Sequence, residues 1–152
     1  MIEIREAEPG DENVILKMIR ELAVYEKEPN AVTNTEKELA VHLFEEKICS
    51  ALVAIEKKEV IGFALFYTAY STWKGKCIYL EDFYVKEDKR RSGVGTKLFQ
   101  SVIDIATDSK ARRMEWQVYD WNQNAINFYK KHNAVLDNQW INGRFEFNYK
   151  IK

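Results

Sequence analysis

Residues 90–100 read RRSGVGTKLFQ. Two glycines, Gly93 and Gly95, stand one residue apart where a charged loop, KEDKRR, meets an apolar pattern. That pattern, Val94, Leu98, Val102, Ile105 and Ala106, has helical spacing. A glycine pair before a helix can do no more than make a tight turn. Here the flanking segments add to it. The preceding run, KCIYLEDFYV, is rich in β-branched and aromatic residues and reads as a strand. Strand, basic loop and helix start together present a run of backbone N–H groups. A phosphate can approach them closely because two side chains are missing. Arg90 and Arg91 add positive charge beside the run, which suits a pyrophosphate. The spacing excludes a Walker loop, which needs G-x-x-x-x-G-K-[ST]. It also excludes the dinucleotide fingerprint, because Leu98 stands where the third glycine belongs.

Outward from the loop, the chain alternates strand and helix signals. IEIREA at the start is a short strand, and Asp11 is the expected N-cap of a first helix carrying Ile15, Met18, Ile19 and Leu22 on one face. TNTEKEL holds two overlapping capping boxes, Thr33 with Glu36 and Thr35 with Glu38, so a second helix should run to about residue 44. CSALVAIEKKEVIGFALFYTAY reads as a hairpin turning at EKKE. After the glycine loop and its helix, RRMEWQVY is a strand and NQNAINFYKKH a helix with lysines near its end. Residues 135–151 read as two more strands around Asn142 and Gly143. The expected order is β-α-α-β-β-β-α-β-α-β-β, an α/β fold with a mixed sheet and helices on its faces.

Composition limits the function. The chain has 152 residues, 46% hydrophobic and 31% charged, with a formal net charge of −1. That is a single domain of ordinary size without the basic surplus that nonspecific nucleic-acid binding requires. Cys49 and Cys77 form no disulfide framework, and with His42 and His132 far apart no metal site is written. No apolar run reaches membrane-spanning length and no leader is visible, so a reducing cytoplasm is the expected setting.

The loop pattern [QR]-x-x-G-x-[GA], at a strand-loop-helix junction within this element order, resembles the GNAT superfamily of N-acetyltransferases. The resemblance covers essentially the whole chain. ELAVYEK, YLEDFYV and WNQNAINFYKK are further similar to the corresponding stretches of diamine acetyltransferases, the spermidine/spermine and thialysine enzymes. It implies the GNAT fold with splayed central strands and acetyl-coenzyme A as co-substrate. The pyrophosphate would lie on Arg90, Arg91, Ser92, Gly93, Val94, Gly95 and Thr96. Main-chain contacts to the pantetheine arm would come from Phe83, Tyr84 and Val85, as from an added strand. A backbone N–H near Phe83 would serve the thioester oxygen. Asn122 and Ala125 would hold the arm, and Tyr129 would protonate the departing thiolate. Asn122 and Tyr129, seven residues apart, fall on one helix face about 10 Å from each other.

The reaction itself demands acids. An alkylammonium is neutral in only about one molecule in a thousand at physiological pH, so the site must attract a cation and then take its proton. Glu81 and Asp82 sit side by side in an aromatic strand, where alternation turns one of two neighbours inward. A bulge or the strand splay would bring both to one place. Glu81 is the candidate base and Asp82 the partner of a distal ammonium. The resemblance adds Tyr25 and Glu26 to the substrate residues, and Trp116, on the strand opposite the slot, is a further candidate to line it. After YEK the chain reads EPNA, less acidic than in spermidine/spermine enzymes, so a smaller diamine or a thialysine- or lysine-like amino acid is as good a substrate as spermidine. Acetylation of a protein lysine or N-terminus, and a coenzyme-binding module without turnover, are the alternatives. The resemblance implies a homodimer, with the aromatic C-terminal alternation of Phe145, Phe147 and Tyr149 as contact material.

Overall fold

The computed structural model describes residues 1–149. They divide into two compact units, Met1–Gln117 and a second that begins at Val118. The first contains β1 (Ile2–Glu6), α1 (Asp11–Tyr25), α2 (Glu36–Ala40), β2 (Ser50–Glu56), β3 (Glu59–Ser71), β4 (Gly75–Val85), α3 (Val94–Asp108) and β5 (Arg113–Glu115). The second contains α4 (Gln123–Lys131). The mixed α/β class expected from the sequence is therefore present.

The sheet order is β1-β2-β3-β4-β5, antiparallel except for the parallel pair β4–β5. Alternation along the strands gives it two apolar faces. Ala51 and Val53 of β2, with Phe63 and Leu65 of β3, pack under Ile15, Leu16 and Met18 of α1 and Leu39 of α2. Ala54 points the other way and joins Val94, the first residue of α3. The β2–β3 turn places Lys57 and Lys58 at φ 50° and 70°. That is the two-residue geometry whose twist matches the flanking strands.

Gly62 lets β3 and β4 lie close. A Cβ there would come 2.9 Å from the carbonyl oxygen of Tyr84, a backbone atom that cannot step aside. Opposite Gly62, β4 runs out to Val85.

Several local expectations are corrected. Gly10, not Asp11, caps α1. The Asp11 carboxylate instead accepts from the Glu8 N–H at 2.8 Å and binds Arg5 at 2.6 Å, because an ion pair and the preceding turn compete for the same oxygens. Of the two capping boxes, the Thr35 hydroxyl accepts from the Glu38 N–H at 3.2 Å. The helix it opens ends at Ala40 and continues as a wider π-helical turn, Val41–Glu45.

The expected strand RRMEWQVY is regular over three residues only. The expected terminal hairpin is not formed among the described residues, which from 134 to 149 carry no regular structure; its end, 150–151, lies outside them. The alternation is real, but Phe145, Phe147 and Tyr149 are 89, 72 and 84% exposed. A two-stranded hairpin without a face to cover is marginal in water.

Candidate active site

The parallel ladder between β4 and β5 consists of Cys77↔Arg113, Ile78↔Met114 and Tyr79↔Glu115. It stops there, whereas pairing of β4 with β3 continues to Val85. Beyond Tyr79 the two strands are therefore no longer paired, which the expected splay requires. The divergence falls beside Glu81, Asp82 and Phe83. Behind it, Phe83 packs on Phe99 of α3 with ring centroids 5.6 Å apart, and Trp116 meets Phe99 edge-on at 5.4 Å. Trp116 is thus part of an aromatic stack beneath the parting and is itself partly buried.

A bulge sits at the same point. Leu65 faces Asp82 while Phe66 faces Leu80, so Glu81 is the extra residue on β4. The two adjacent carboxylates end in different surroundings. Glu81 is exposed and accepts from the Tyr67 hydroxyl at 3.4 Å. Tyr67 stacks on its cross-strand partner Tyr79 at 5.3 Å. Burial, then the charge of Glu81, push Tyr79 up to about 12, so its hydroxyl remains protonated. Asp82 is half-buried. Burial first, then the charges of Glu81 and Glu26, push its carboxyl up to about 7. Burial raises Glu26 as well. Glu26, Glu81 and Asp82 thus share one electrostatic neighbourhood.

Glu26 is held there by the end of α1. The Glu28 N–H bonds the Ala23 carbonyl and the Lys27 N–H that of Val24. Lys27 has φ 64°, the left-handed turn that ends many helices. Tyr25 is the last helical residue, and its ring lies 5.1 Å from the guanidinium carbon of Arg90.

The glycine loop follows β4. Gly93 caps α3 at φ 84° with no side-chain cap, and no acidic residue occupies the first turn. A Cβ at Gly93 would meet nothing within 4 Å. The N–H groups of a first helical turn have no intrahelical acceptor, so this end is open and electropositive and fits a phosphate. Arg91, where the related pattern often has glycine, adopts φ 66° at the cost of a left-handed backbone. Ser92 is exposed, and its hydroxyl donates back to the Lys89 carbonyl at 2.8 Å. Arg90 does not extend toward the loop's N–H groups with its side chain. Its Nε donates to the Val85 carbonyl at 2.9 Å.

In the second unit, the Asn122 side chain caps α4, accepting from the Ala125 N–H at 3.3 Å. Tyr129 is buried and lies edge-on to Phe128 at 5.6 Å. Tyr67, Tyr79 and Glu21 were not singled out in the sequence. Only the β3–β4 register could have placed the first two beside Glu81. Glu21, four residues before Tyr25 on α1, accepts from the Tyr84 hydroxyl at 3.1 Å.

Comparison with known proteins identifies the family. The model of the acetyltransferase (GNAT) family matches residues 16–134. The chain is similar to the thialysine N-epsilon-acetyltransferase of Bos taurus, 41% identical over 136 residues, which is 84% of this chain and 80% of that protein. The Caenorhabditis elegans protein of the same name is 38% identical, covering 84% and 79%. Among solved structures, an integron cassette protein from V. cholerae superposes with TM-score 0.77 at 27% identity, covering 97% of this chain and 93% of that one. The chain belongs to the GNAT acetyltransferase family and is an N-acetyltransferase. The family's co-substrate is acetyl-coenzyme A. No helix among the described residues is long and apolar enough to cross a membrane.

The raised Asp82 carboxyl has a consequence for stability. In the unfolded chain it ionises near 3.8, and in the folded chain near 7. Between those values the folded chain holds the extra proton, so this group's contribution to stability falls as pH rises. Asp82→Asn removes that dependence. Its melting temperature should therefore gain on the parent's steadily from about pH 4 to about pH 7, with a flat difference on either side. A pH-independent difference in thermal unfolding would show that Asp82 ionises as an ordinary carboxylate.

Proposed function

We propose that this chain transfers the acetyl group of acetyl-coenzyme A to a primary amine of a small substrate that carries a second cationic group. A diamine, a polyamine, and a thialysine- or lysine-like amino acid all have that chemistry. The observation that carries the reading is the convergence of Glu26, Glu81 and Asp82 beside the parting of β4 from β5. The names of the relatives, thialysine N-epsilon-acetyltransferases, support the same class.

In this reading the loop from Arg90 to Thr96 holds the pyrophosphate with backbone N–H groups, the open space at Gly93 giving it room. Asn122, Ala125 and the main chain of Phe83, Tyr84 and Val85 keep the roles the family resemblance gives them. Of the two neighbouring carboxylates, Asp82 takes the ammonium proton, in place of the Glu81 expected from the sequence. A base with an affinity near neutrality is ionised at working pH yet basic enough to accept a proton. Glu81 and Glu26 hold the substrate's positive charges, and Tyr67 and Tyr79 wall the outer side of Glu81. The amine nitrogen then attacks the thioester carbon and the carbon–sulfur bond breaks; Tyr129 gives its proton to the sulfur, and the second proton lost by the nitrogen restores the phenol.

The direct test is acetyl transfer across matched amines. A diamine leaves one cation paired while the other end reacts, and a monoamine of equal length cannot. kcat/KM should favour diamines or thialysine-like substrates by about tenfold or more. Equal values would remove the acidic site from the account. In the same assay, Tyr129→Phe should lower turnover roughly 10²-fold with coenzyme binding retained, and near-parental turnover with chemistry limiting would return Tyr129 to a packing role.

The exposed aromatic side chains of residues 140–149 support a homodimer in which a second copy covers them. Sedimentation at micromolar concentration should give the dimer mass; a monomer would end that part of the reading.

A further inference from the structure

Arg90 opens the loop pattern, and on sequence alone its charge belongs to the phosphates. Its side chain is engaged elsewhere. Nε donates to the carbonyl oxygen of Val85, five residues back at the end of β4, at 2.9 Å. The guanidinium carbon lies 5.1 Å from the ring centroid of Tyr25 and 5.3 Å from that of Tyr84. Tyr84 in turn donates its hydroxyl to Glu21 at 3.1 Å. One guanidinium therefore ties together the end of β4, the start of the phosphate loop and the last turn of α1.

The tie bears on the acidic site through one peptide bond. Tyr25 is followed by Glu26, whose N–H is bonded to the Leu22 carbonyl at 2.8 Å and whose charge is felt at Asp82. The turn after it is closed by two further backbone bonds, so this corner moves as a unit. A contact that holds the Tyr25 ring also restrains the backbone that carries Glu26. A planar guanidinium suits the task, because it can lie against aromatic faces while its edge donates to a carbonyl; an ammonium offers only a point charge.

We propose that Arg90 is a positioning residue for the amine substrate: its guanidinium holds the Tyr25–Glu26 corner against the end of β4, while the loop contributes to coenzyme binding through its backbone. This rests on the acidic-site reading above. It assigns the loop's first residue to substrate selection, and it links the coenzyme loop mechanically to the diamine end of the site.

The test uses the whole chain and two substrates, a diamine and its matched monoamine, together with calorimetric titration of coenzyme A. Arg90→Gln should raise KM for the diamine roughly tenfold and shrink the diamine preference, while the coenzyme A Kd changes by less than about threefold. Arg90→Lys should recover little of the loss, since it keeps the charge and loses the stacking. A coenzyme A Kd raised about tenfold with the diamine preference intact would overturn the proposal and return the side chain to the phosphates. Unchanged constants throughout would overturn it too.

Should Arg90→Gln fold poorly, Tyr25→Leu removes the same contact from the other side. It must produce the same loss of diamine preference, and preservation of that preference would overturn the proposal. The parent chain separates the two levels of the account. If it shows no preference for the diamine, the acidic-site reading fails and this proposal with it. If the parent prefers the diamine and the variants do so equally, only the positioning role fails.

Discussion

The parting of β4 from β5 beyond Tyr79 is the constraint on which the site depends. A parallel pair that continued to Val85 would use the second edge of β4 for a ladder, and there would be no place for an extended ligand beside Phe83. The partner on the other side, β3, keeps β4 extended over its whole length. Gly62 contributes by letting the Tyr84 carbonyl lie within 2.9 Å of where a side chain would begin. Sheet formation is thus complete on one edge of β4 and interrupted on the other.

The bulge at Glu81 falls where the strands part, and the two features act together. In a regular strand, Glu81 and Asp82 would face opposite sides of the sheet. With the extra residue, Glu81 reaches solvent beside Tyr67 while Asp82 turns toward the end of α1 and the charge of Glu26. Burial, more than repulsion, raises the Asp82 carboxyl. One dipeptide therefore supplies an exposed carboxylate and a second carboxyl pushed up to about 7. The strain of burying an acid is tolerated because the protonated form is available, at a cost to stability at higher pH.

Much of this was legible in the sequence for definite reasons. Gly93 and Gly95 before an apolar helical period marked a loop and helix start, and Gly93 does occupy the left-handed conformation that favours glycine. Adjacent acids in an aromatic strand raised the question of a bulge, and β4 has one. What the sequence did not carry was direction. Arg90 and Arg91 read alike as positive charge, yet one side chain lies against Tyr25 and Tyr84 and donates to Val85. Which of Glu81 and Asp82 is buried depends on the β3 register, fixed by residues fourteen or more positions away. The terminal alternation of Phe145, Phe147 and Tyr149 reads as a strand, but a strand needs a neighbour, and alternation alone does not supply one.

In the proposed reaction Asp82, its carboxyl raised by burial, takes the substrate proton. The pH dependence of kcat/KM for a diamine in the parent, Asp82→Asn and Glu81→Gln chains tests it most directly. The parent should lose activity as pH falls through about 7, where Asp82 gains its proton. Asp82→Asn should lack that limb and follow the fraction of free amine upward, so its deficit is largest near neutral pH and shrinks toward about pH 10. Glu81→Gln should keep the limb but move it to lower pH, because the Glu81 charge helps to raise Asp82. A limb that persists in Asp82→Asn and vanishes in Glu81→Gln would contradict the account and make Glu81 the base.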